Sequence, residues 1–471
     1  MKGRMQKIST KSDSRPPKNM PEAESYEGVQ TYMRVVDGCL TTEQPKTEYP
    51  LLERILSPAN LNAAYQQVKR NGGAAGVDRM DCDRLLGYLI EHGEELKERI
   101  RQRTYRPKPV RRVEIPKDNG GKRQLGIPTV VDRMFQQAIA QVLSPVYERQ
   151  FSEGSYGFRP KRGGKRALIA VTKIAEQGYH YAVDIDLERF FDTVNHAKVI
   201  EILQRTIKDD AVISLIHRYL NAGVMKDGKY EPSEEGTPQG GPLSPLLANI
   251  MLNELDKELE RRGHPFVRYA DDGLILCRSK RAAERVKESI SKFIEGHLKL
   301  KVNREKTEVA YIGRLKFLGY GFYVRNGKCR LRLHQKTEAK LRRRLKAITS
   351  RSNGMGYGRR KATLRQYLRG WTEYYNLADM GNKVKEIDQW LRRRIRMCIW
   401  KSWKRIKTRV RNLIRCGIDK QKAYEWGNTS KGYWRVADSW ILHRAISTDR
   451  LHTAGYDWIG CYYTASKLPK G

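Results

Sequence analysis

The alternation of apolar and polar positions divides the chain into stretches of different character. Residues 1–48 show little apolar periodicity and are rich in Lys, Ser, Pro and Glu, which predicts a disordered or peripheral segment. Residues 49–105 read as helical: Leu85, Leu86, Leu89 and Ile90, then Leu96 and Ile100, recur at helical spacing, and Gly72, Gly73 and Gly76 break the helices before Asp78. Residues 106–330 mix both periods. Val110 to Ile115 reads as a strand, Lys117-Asp118-Asn119-Gly120-Gly121 as a turn, and Gln124 to Ile127 as the returning strand. Asp132 to Tyr147 predicts a helix, Tyr179 to Ile185 a strand, His196 to Leu220 a helix and Pro242 to Arg262 a long helix with an apolar stripe at Leu246, Ile250, Leu252, Leu255 and Leu259. Val267 to Ala270 and Leu274 to Cys277 are short apolar strands around Asp271-Asp272-Gly273, a hairpin with an acidic tip. Ala282 to Glu295 returns to helix and Leu315 to Val324 to strand. Residues 331–430 predict three helices, with stripes at Leu341, Leu345 and Ile348; at Leu364, Tyr367, Leu368 and Trp371; and at Ile387, Leu391, Ile395 and Ile399. Residues 431–471 follow as a short tail. The expected class is α+β.

Composition adds a partner. The 471 residues include 92 Lys+Arg against 53 Asp+Glu, a formal charge of +39. Such a surface repels itself without a polyanion, and nucleic acid is the default one, ahead of a ribosome-bound or membrane-surface role. The excess concentrates late: Leu331 to Lys420 holds 27 Lys+Arg and 6 Asp+Glu. The seven cysteines form no C-x-x-C pair and suggest neither a zinc site nor a disulfide framework, which fits a reducing cytosol. No signal peptide and no membrane span is read.

The chemistry centres on carboxylates. Asp271 and Asp272 sit side by side on a tight turn, where their repulsion favours a divalent cation, and magnesium prefers such hard oxygen ligands. An aromatic-x-Asp-Asp run alone arises by chance in roughly one chain of this length in ten, so a third carboxylate from another strand is needed. The apolar strand His180-Tyr181-Ala182-Val183 supplies candidates, running into Asp184-Ile185-Asp186-Leu187-Glu188-Arg189-Phe190-Phe191-Asp192. Three carboxylates from neighbouring strands can hold two magnesium ions for an in-line displacement at phosphorus.

These residues resemble the palm motifs of reverse transcriptases, and the chain from about Leu51 onward resembles the reverse transcriptase–maturases encoded by bacterial group II introns. Seven motifs occur in that family's order. They are Ile115-Pro116-Lys117 through Leu125-Gly126-Ile127-Pro128; Ser155-Tyr156-Gly157-Phe158-Arg159-Pro160; Asp186 to His196; Gly236-Thr237-Pro238-Gln239-Gly240-Gly241-Pro242-Leu243-Ser244-Pro245; Tyr269 to Asp272; Leu300 to Thr307 with Phe317-Leu318-Gly319-Tyr320; and Gly370-Trp371-Thr372-Glu373-Tyr374-Tyr375. The resemblance implies a right-hand polymerase, with fingers and palm over residues 106–330 and an all-α thumb or maturase domain after them.

It also implies roles. The family's first catalytic Asp is followed five positions later by a bulky aromatic. Phe191 stands there relative to Asp186, and Arg189 relative to Asp184, so Asp186 joins Asp271 and Asp272 as ligand and catalytic group. Alternation puts Asp184 on the same strand face, where it can shape the site. The Leu187 carbonyl is a further metal ligand in this scheme. Two Mg2+ ions, replaceable by Mn2+, are the implied cofactors. Phe191 becomes a steric gate that selects dNTPs by clashing with a ribose 2′-OH, with a core aromatic as the weaker alternative. Lys117, Arg123, Gln239 and Lys306 are implied to contact the nucleotide. Arg159, Gly240, Arg342, Arg343, Arg344, Arg365, Arg369, Arg392 and Arg393 are the expected nucleic-acid contacts.

The implied partners are an RNA template and DNA primer, structured intron RNA and, through residues 431–471, target DNA. No membrane is involved, and a bacterial cytoplasmic location follows. The chain carries no Cys/His pattern of the endonuclease found in some relatives, so DNA nicking is not expected. The competing readings are a maturase that binds RNA with a vestigial polymerase, disfavoured by the intact acidic set, and a domesticated relative without an intron.

Overall fold

The computed structural model describes residues 50–116 and 121–467. The expectation for residues 1–48 and the turn at Lys117 lie outside these. The described strands form three sheets. The first orders β2 (Lys122–Ile127), β1 (Val110–Pro116), β4 (Val224–Lys226) and β5 (Lys229–Glu231), with β1 antiparallel to β2 and parallel to β4. The second is wholly antiparallel and orders β6 (Phe266–Tyr269), β7 (Asp272–Cys277), β3 (Tyr181–Ile185) and β8 (Glu308–Tyr311). The third orders β11 (Lys328–Leu333), β10 (Tyr320–Arg325) and β9 (Lys316–Phe317).

The second sheet is the palm, and strand alternation gives it two different faces. Val183, Ile185 and Ile275 enter one core, with Leu246, Ile250 and Leu255 of the helix Ser244–Arg261 and Ala283 and Ile290 of the helix Lys280–His297. Ala182, Leu274, Leu276 and Val267 enter a second core. It runs through Leu168 and Val171 of the helix Gly164–Glu176 into the three C-terminal helices Gln335–Ile348, Tyr357–Tyr375 and Gly381–Ser402. Those three helices are the ones that periodicity predicts, and their buried residues include Leu341, Leu345, Leu364, Leu368, Ile387, Leu391 and Ile395. The tail packs back on them. Val436, Ile441, Leu442 and Trp458 share their core, and the Asp388 carboxylate accepts from the Ile459 and Gly460 amides at 3.0 and 2.8 Å.

The departures from expectation have local causes. The helix expected over His196 to Leu220 is two, His196–Thr206 and Asp210–Leu220, because the Asp209 carboxylate caps a new start by accepting from Ala211 and Val212. The strand expected over Leu315 to Val324 bends between β9 and β10, where Leu318 and Gly319 take left-handed φ angles of 49° and 79°. Thr129 caps the helix Val130–Glu148 two residues before the expected start. In the helix Leu85–Arg101 the buried residues are Leu85, Leu96 and Ile100, whereas Leu86 and Ile90 of the expected stripe are 46% and 79% exposed.

Candidate active site

The β6–β7 hairpin closes on the pair Tyr269 and Asp272, leaving Ala270 and Asp271 as the turn. Ala270 adopts φ +56°, a left-handed conformation that costs a residue with a Cβ about 1–2 kcal/mol. Across the sheet, Asp184 pairs with Leu274 and Ile185 with Gly273. Continuing that register by one residue brings Asp186 opposite Asp272, next to the Asp271 turn. Asp184 lies two pairs deeper, flanked on its other side by Glu308. One face of the palm sheet therefore carries Asp184, Asp186, Asp272 and Glu308 at the end where the hairpin turns.

The segment after β3 is held from behind. The Asp186 amide donates to the Thr307 hydroxyl at 3.2 Å, and the Asp186 carbonyl accepts from the Asn303 amide at 2.9 Å. The Glu188 amide donates to the Lys301 carbonyl at 2.8 Å. These bonds flank an isolated bridge between Leu187 and Val302, a pair in which neither residue bonds the other. The Leu187 carbonyl is thus directed away from Val302. Lys306 Nζ stands 3.5 Å from Asp186 Oδ2, so the lysine expected at the nucleotide here neutralises a carboxylate.

The electrostatics follow from crowding. Burial first, then Glu308 and Asp186, pushes Asp184 from 3.8 up to about 7. Burial first, then Asp271, Asp184 and Asp186, pushes Asp272 up to about 7 as well. Solvent reaches Asp272, yet protein atoms and three acids surround it, and the crowding sets its proton affinity. Asp271 is also raised, chiefly by burial, with Arg123 and Arg268 pulling the other way. Among the described residues no three such side chains already converge on one ion position. The donor set nevertheless suits a hard divalent cation: oxygen ligands only, on one face, with a mutual repulsion that such a cation relieves.

The fingers reach the same place. Arg123 lies on β2 opposite Ile115, is exposed, and its charge bears on Asp271. Lys117 lies outside the described residues. The loop with Gln239 joins fingers to palm: the Gly126 amide donates to the Gln239 carbonyl at 2.8 Å, and the Thr237 amide to the Phe191 carbonyl at 2.6 Å. Buried His196 fixes the loop through the Gly236 carbonyl at 2.6 Å. A Cβ on Gly240, whose φ is +128°, would lie 2.6 Å from the Gly126 carbonyl oxygen, so glycine at 240 is a requirement of this joint. Gly240 itself is exposed, and its loop is bonded to β2 on one side and to the Phe191 segment on the other. Phe191 is half-buried and meets buried Phe190 edge-on at 5.2 Å.

Other expected contacts separate by burial. Arg159 is corrected: its side chain is 2% exposed and its guanidinium is taken by Glu148, by the Ser155 carbonyl at 2.9 Å and by the Ser152 carbonyl, so it braces the loop and faces no nucleic acid. Arg343, Arg344 and Arg369 are exposed. Arg342 is bound by Glu338 and Glu386. Arg365 is bound by Asp457, and Arg392 lies over Trp458. Arg393 packs 3.9 Å from the Trp434 ring centre and pairs with Asp438.

Sequence reasoning missed Arg268, which is buried within β6. Two signals pointed to it: a charge inside an apolar strand, and Asn249, Asn253 and Asp256 at helical spacing on the palm helix.

Comparison with known proteins identifies the family. Residues 115–322 match the family model of reverse transcriptase (RNA-dependent DNA polymerase), and residues 339–417 match that of the group II intron maturase-specific domain. Protein YkfC of Escherichia coli is 32% identical over 302 residues, covering 56% of this chain and 79% of that protein. The group II intron-encoded protein LtrA of Lactococcus lactis is 32% identical over 341 residues, covering 58% of this chain and 57% of LtrA. An uncharacterized 91 kDa protein in the cob intron of Schizosaccharomyces pombe is 35% identical over 197 residues, 42% of this chain and 24% of its own length. With acids, fingers loop and basic helices in one order in space and sequence, the chain belongs to the group II intron-encoded reverse transcriptase family, its polymerase followed by a maturase domain.

Proposed function

We propose that this reverse transcriptase extends a DNA primer on an RNA template with dNTPs at two Mg2+ ions held by Asp186, Asp271, Asp272 and the Leu187 carbonyl, Mn2+ being able to replace them. The observation that carries the assignment is the strand register that sets Asp186 opposite Asp272 and beside the Asp271 turn. Bound there, the ions supply charge stabilisation for the attacking 3′ oxygen and the leaving pyrophosphate. Asp186, Asp271 and Asp272 hold that position open, and the Thr307 and Asn303 bonds keep the Asp186 backbone still. Arg123 brings positive charge over the acids from the fingers, in place for a triphosphate. Phe191, bonded through its carbonyl to the Gln239 loop, forms the floor that excludes a 2′-OH. Lys306, 3.5 Å from Asp186, is placed to pair with a phosphate if a cation were to take its place on that carboxylate.

The basic helices carry the second half of the reading. Arg343, Arg344 and Arg369 contact the backbone of the template–primer duplex, and the same region binds structured intron RNA to assist splicing, with residues 431–467 toward target DNA. The relative LtrA, named as group II intron-encoded, supports this partner class. Primer extension on an RNA template with dNTPs and Mg2+ tests the polymerase. Wild type should extend and Asp271→Ala should not, and equal extension by the two would overturn the reading. Filter binding of intron RNA at rising salt tests the second half, where affinity should fall steeply.

A further inference from the structure

We infer that Arg268 is a positioning residue for the catalytic turn: it holds Ala270 in its left-handed conformation and so fixes the directions of the Asp271 and Asp272 carboxylates. The inference rests on the polymerase reading of those two acids.

The guanidinium has five N–H groups, and five bonds use them. Nε donates to Asp256 Oδ1 at 2.8 Å and Nη2 to Asp256 Oδ2 at 2.5 Å, a two-point pair with the palm helix. Nη2 also donates to the Ser155 hydroxyl at 2.9 Å. Nη1 donates to the Asn249 side-chain oxygen at 3.0 Å and to the Ala270 carbonyl at 2.9 Å. Both charged partners are buried, Arg268 at 3% and Asp256 at 0% exposure. A buried pair is poor evidence for stability as such, so what this one holds in place matters more than its own energy.

What it specifies is visible one residue away. Ala270 is the strained residue, and its carbonyl is the group that Arg268 grips. From the other side, the segment Gly154 to Gly157 pairs with β6. The Arg268 amide donates to the Gly154 carbonyl and the Tyr156 amide to the Arg268 carbonyl, each at 2.8 Å. Gly157 then lies so close to the turn that a Cβ there would stand 2.2 Å from the Ala270 amide nitrogen. Asn249 ties this segment to the same network by donating to the Gly157 carbonyl at 2.8 Å. Asp271, Arg268 and Asp256 also line one small cavity together with Leu252, Leu255 and Ile275. The turn is thus clamped between a side chain that holds its carbonyl and a glycine that admits its nitrogen.

The test uses the full chain with Arg268→Lys, which keeps the charge and loses the planar fork, and Ser155→Ala as a milder variant that removes one bond. Two readouts are taken. Mn2+ binding without turnover, followed by loss of the free-ion paramagnetic resonance signal, should weaken about tenfold in Arg268→Lys. The Mg2+ concentration giving half-maximal primer extension should rise in parallel, while affinity for a template–primer duplex stays within about twofold. Ser155→Ala should move both readouts in the same direction by a smaller factor. The decisive arm adds Ala270→Gly, which relieves the left-handed strain. It should restore several-fold of the lost Mn2+ affinity to Arg268→Lys and do little in wild type. Unchanged Mn2+ and Mg2+ dependence in both single variants would overturn the inference. So would a loss that Ala270→Gly fails to restore, since the network would then act only on the fold. Because Mn2+ binding is read without synthesis, it judges this inference even if wild type extends no primer, the outcome that sinks the polymerase reading instead.

Discussion

The palm and the C-terminal helices handle charge in opposite ways. At the open end of the palm sheet, Asp184, Asp186, Asp272 and Glu308 are gathered by strand register although Glu308 and Asp186 raise the proton affinity of Asp184, and Asp184 and Asp186 raise that of Asp272; Lys306 pairs with Asp186 at 3.5 Å. In the helices Gln335–Ile348 and Gly381–Ser402, where Arg far outnumbers the acids, several arginines are already occupied: Arg342 by Glu338 and Glu386, Arg394 by Thr349, Arg393 by Trp434 and Asp438. The palm stores repulsion that a ligand relieves, while the helices spend part of their excess charge on their own packing. What stays uncompensated differs accordingly: crowded carboxylates in the palm, and exposed arginines such as Arg343 and Arg344 in the helices.

The widest separation should come from two acids on one strand face. Asp186→Ala is expected to cut primer extension by about 10^3-fold or more, as loss of a ligand to the metal pair, and Asp184→Ala by about tenfold. Single-turnover extension at saturating dNTP checks this: equal losses would overturn the preference for Asp186, and a larger loss in Asp184→Ala would pass the ligand role to Asp184. Next in size is the gate. Phe191→Ala should shift the rNTP to dNTP incorporation ratio by about tenfold with little change in RNA binding. An unchanged ratio would leave Phe191 as core packing against Phe190.

The stored repulsion has a pH signature. Asp184 and Asp272 titrate near 7 in the fold against 3.8 ordinarily. The folded state binds these protons more tightly, so the stability they contribute is complete below about pH 4 and is lost as pH rises through 7. Magnesium should therefore raise the melting temperature by a few degrees at pH 8 and much less at pH 6, and equal shifts at both would contradict the crowding. Smallest is the contrast among arginines. The double change Arg343→Ala with Arg344→Ala should lower the salt slope of duplex binding by about 1–2. Arg393→Ala should leave that slope alone and cost about 1 kcal/mol of stability through lost contact with Trp434. The reverse pattern would place the nucleic-acid face on the other side of the helices.

Legibility followed the range of the forces involved. Period-two alternation is local, so β3, β6 and β7 and the acids at their ends were readable, and the aromatic five residues after Asp186 chose between two candidates. The three basic helices were readable for the same reason. Arg159 was not: nothing local in its motif shows its burial, and only the fold reveals that Glu148 and the Ser155 carbonyl have taken its donors. Arginine density likewise could not say which side chains face outward, because Trp434 and Asp438 reach Arg393 from about 40 residues away in sequence. The exposed Ile90 fails for a different reason. Helical spacing identifies a stripe but not whether a partner element covers it.

The close approach of Gly157 to Ala270 has a consequence for building chimeras. Two motifs more than a hundred residues apart meet with no room for a methyl group, and the same joint is bolted by Asn249 to the palm helix. A designer who transplants the aspartate hairpin alone, with its host's own Ser-Tyr-Gly segment and helix left behind, moves a part without its socket. The exchangeable cassette in this scaffold is the trio of residues 150–159, 244–261 and 266–277 moved together.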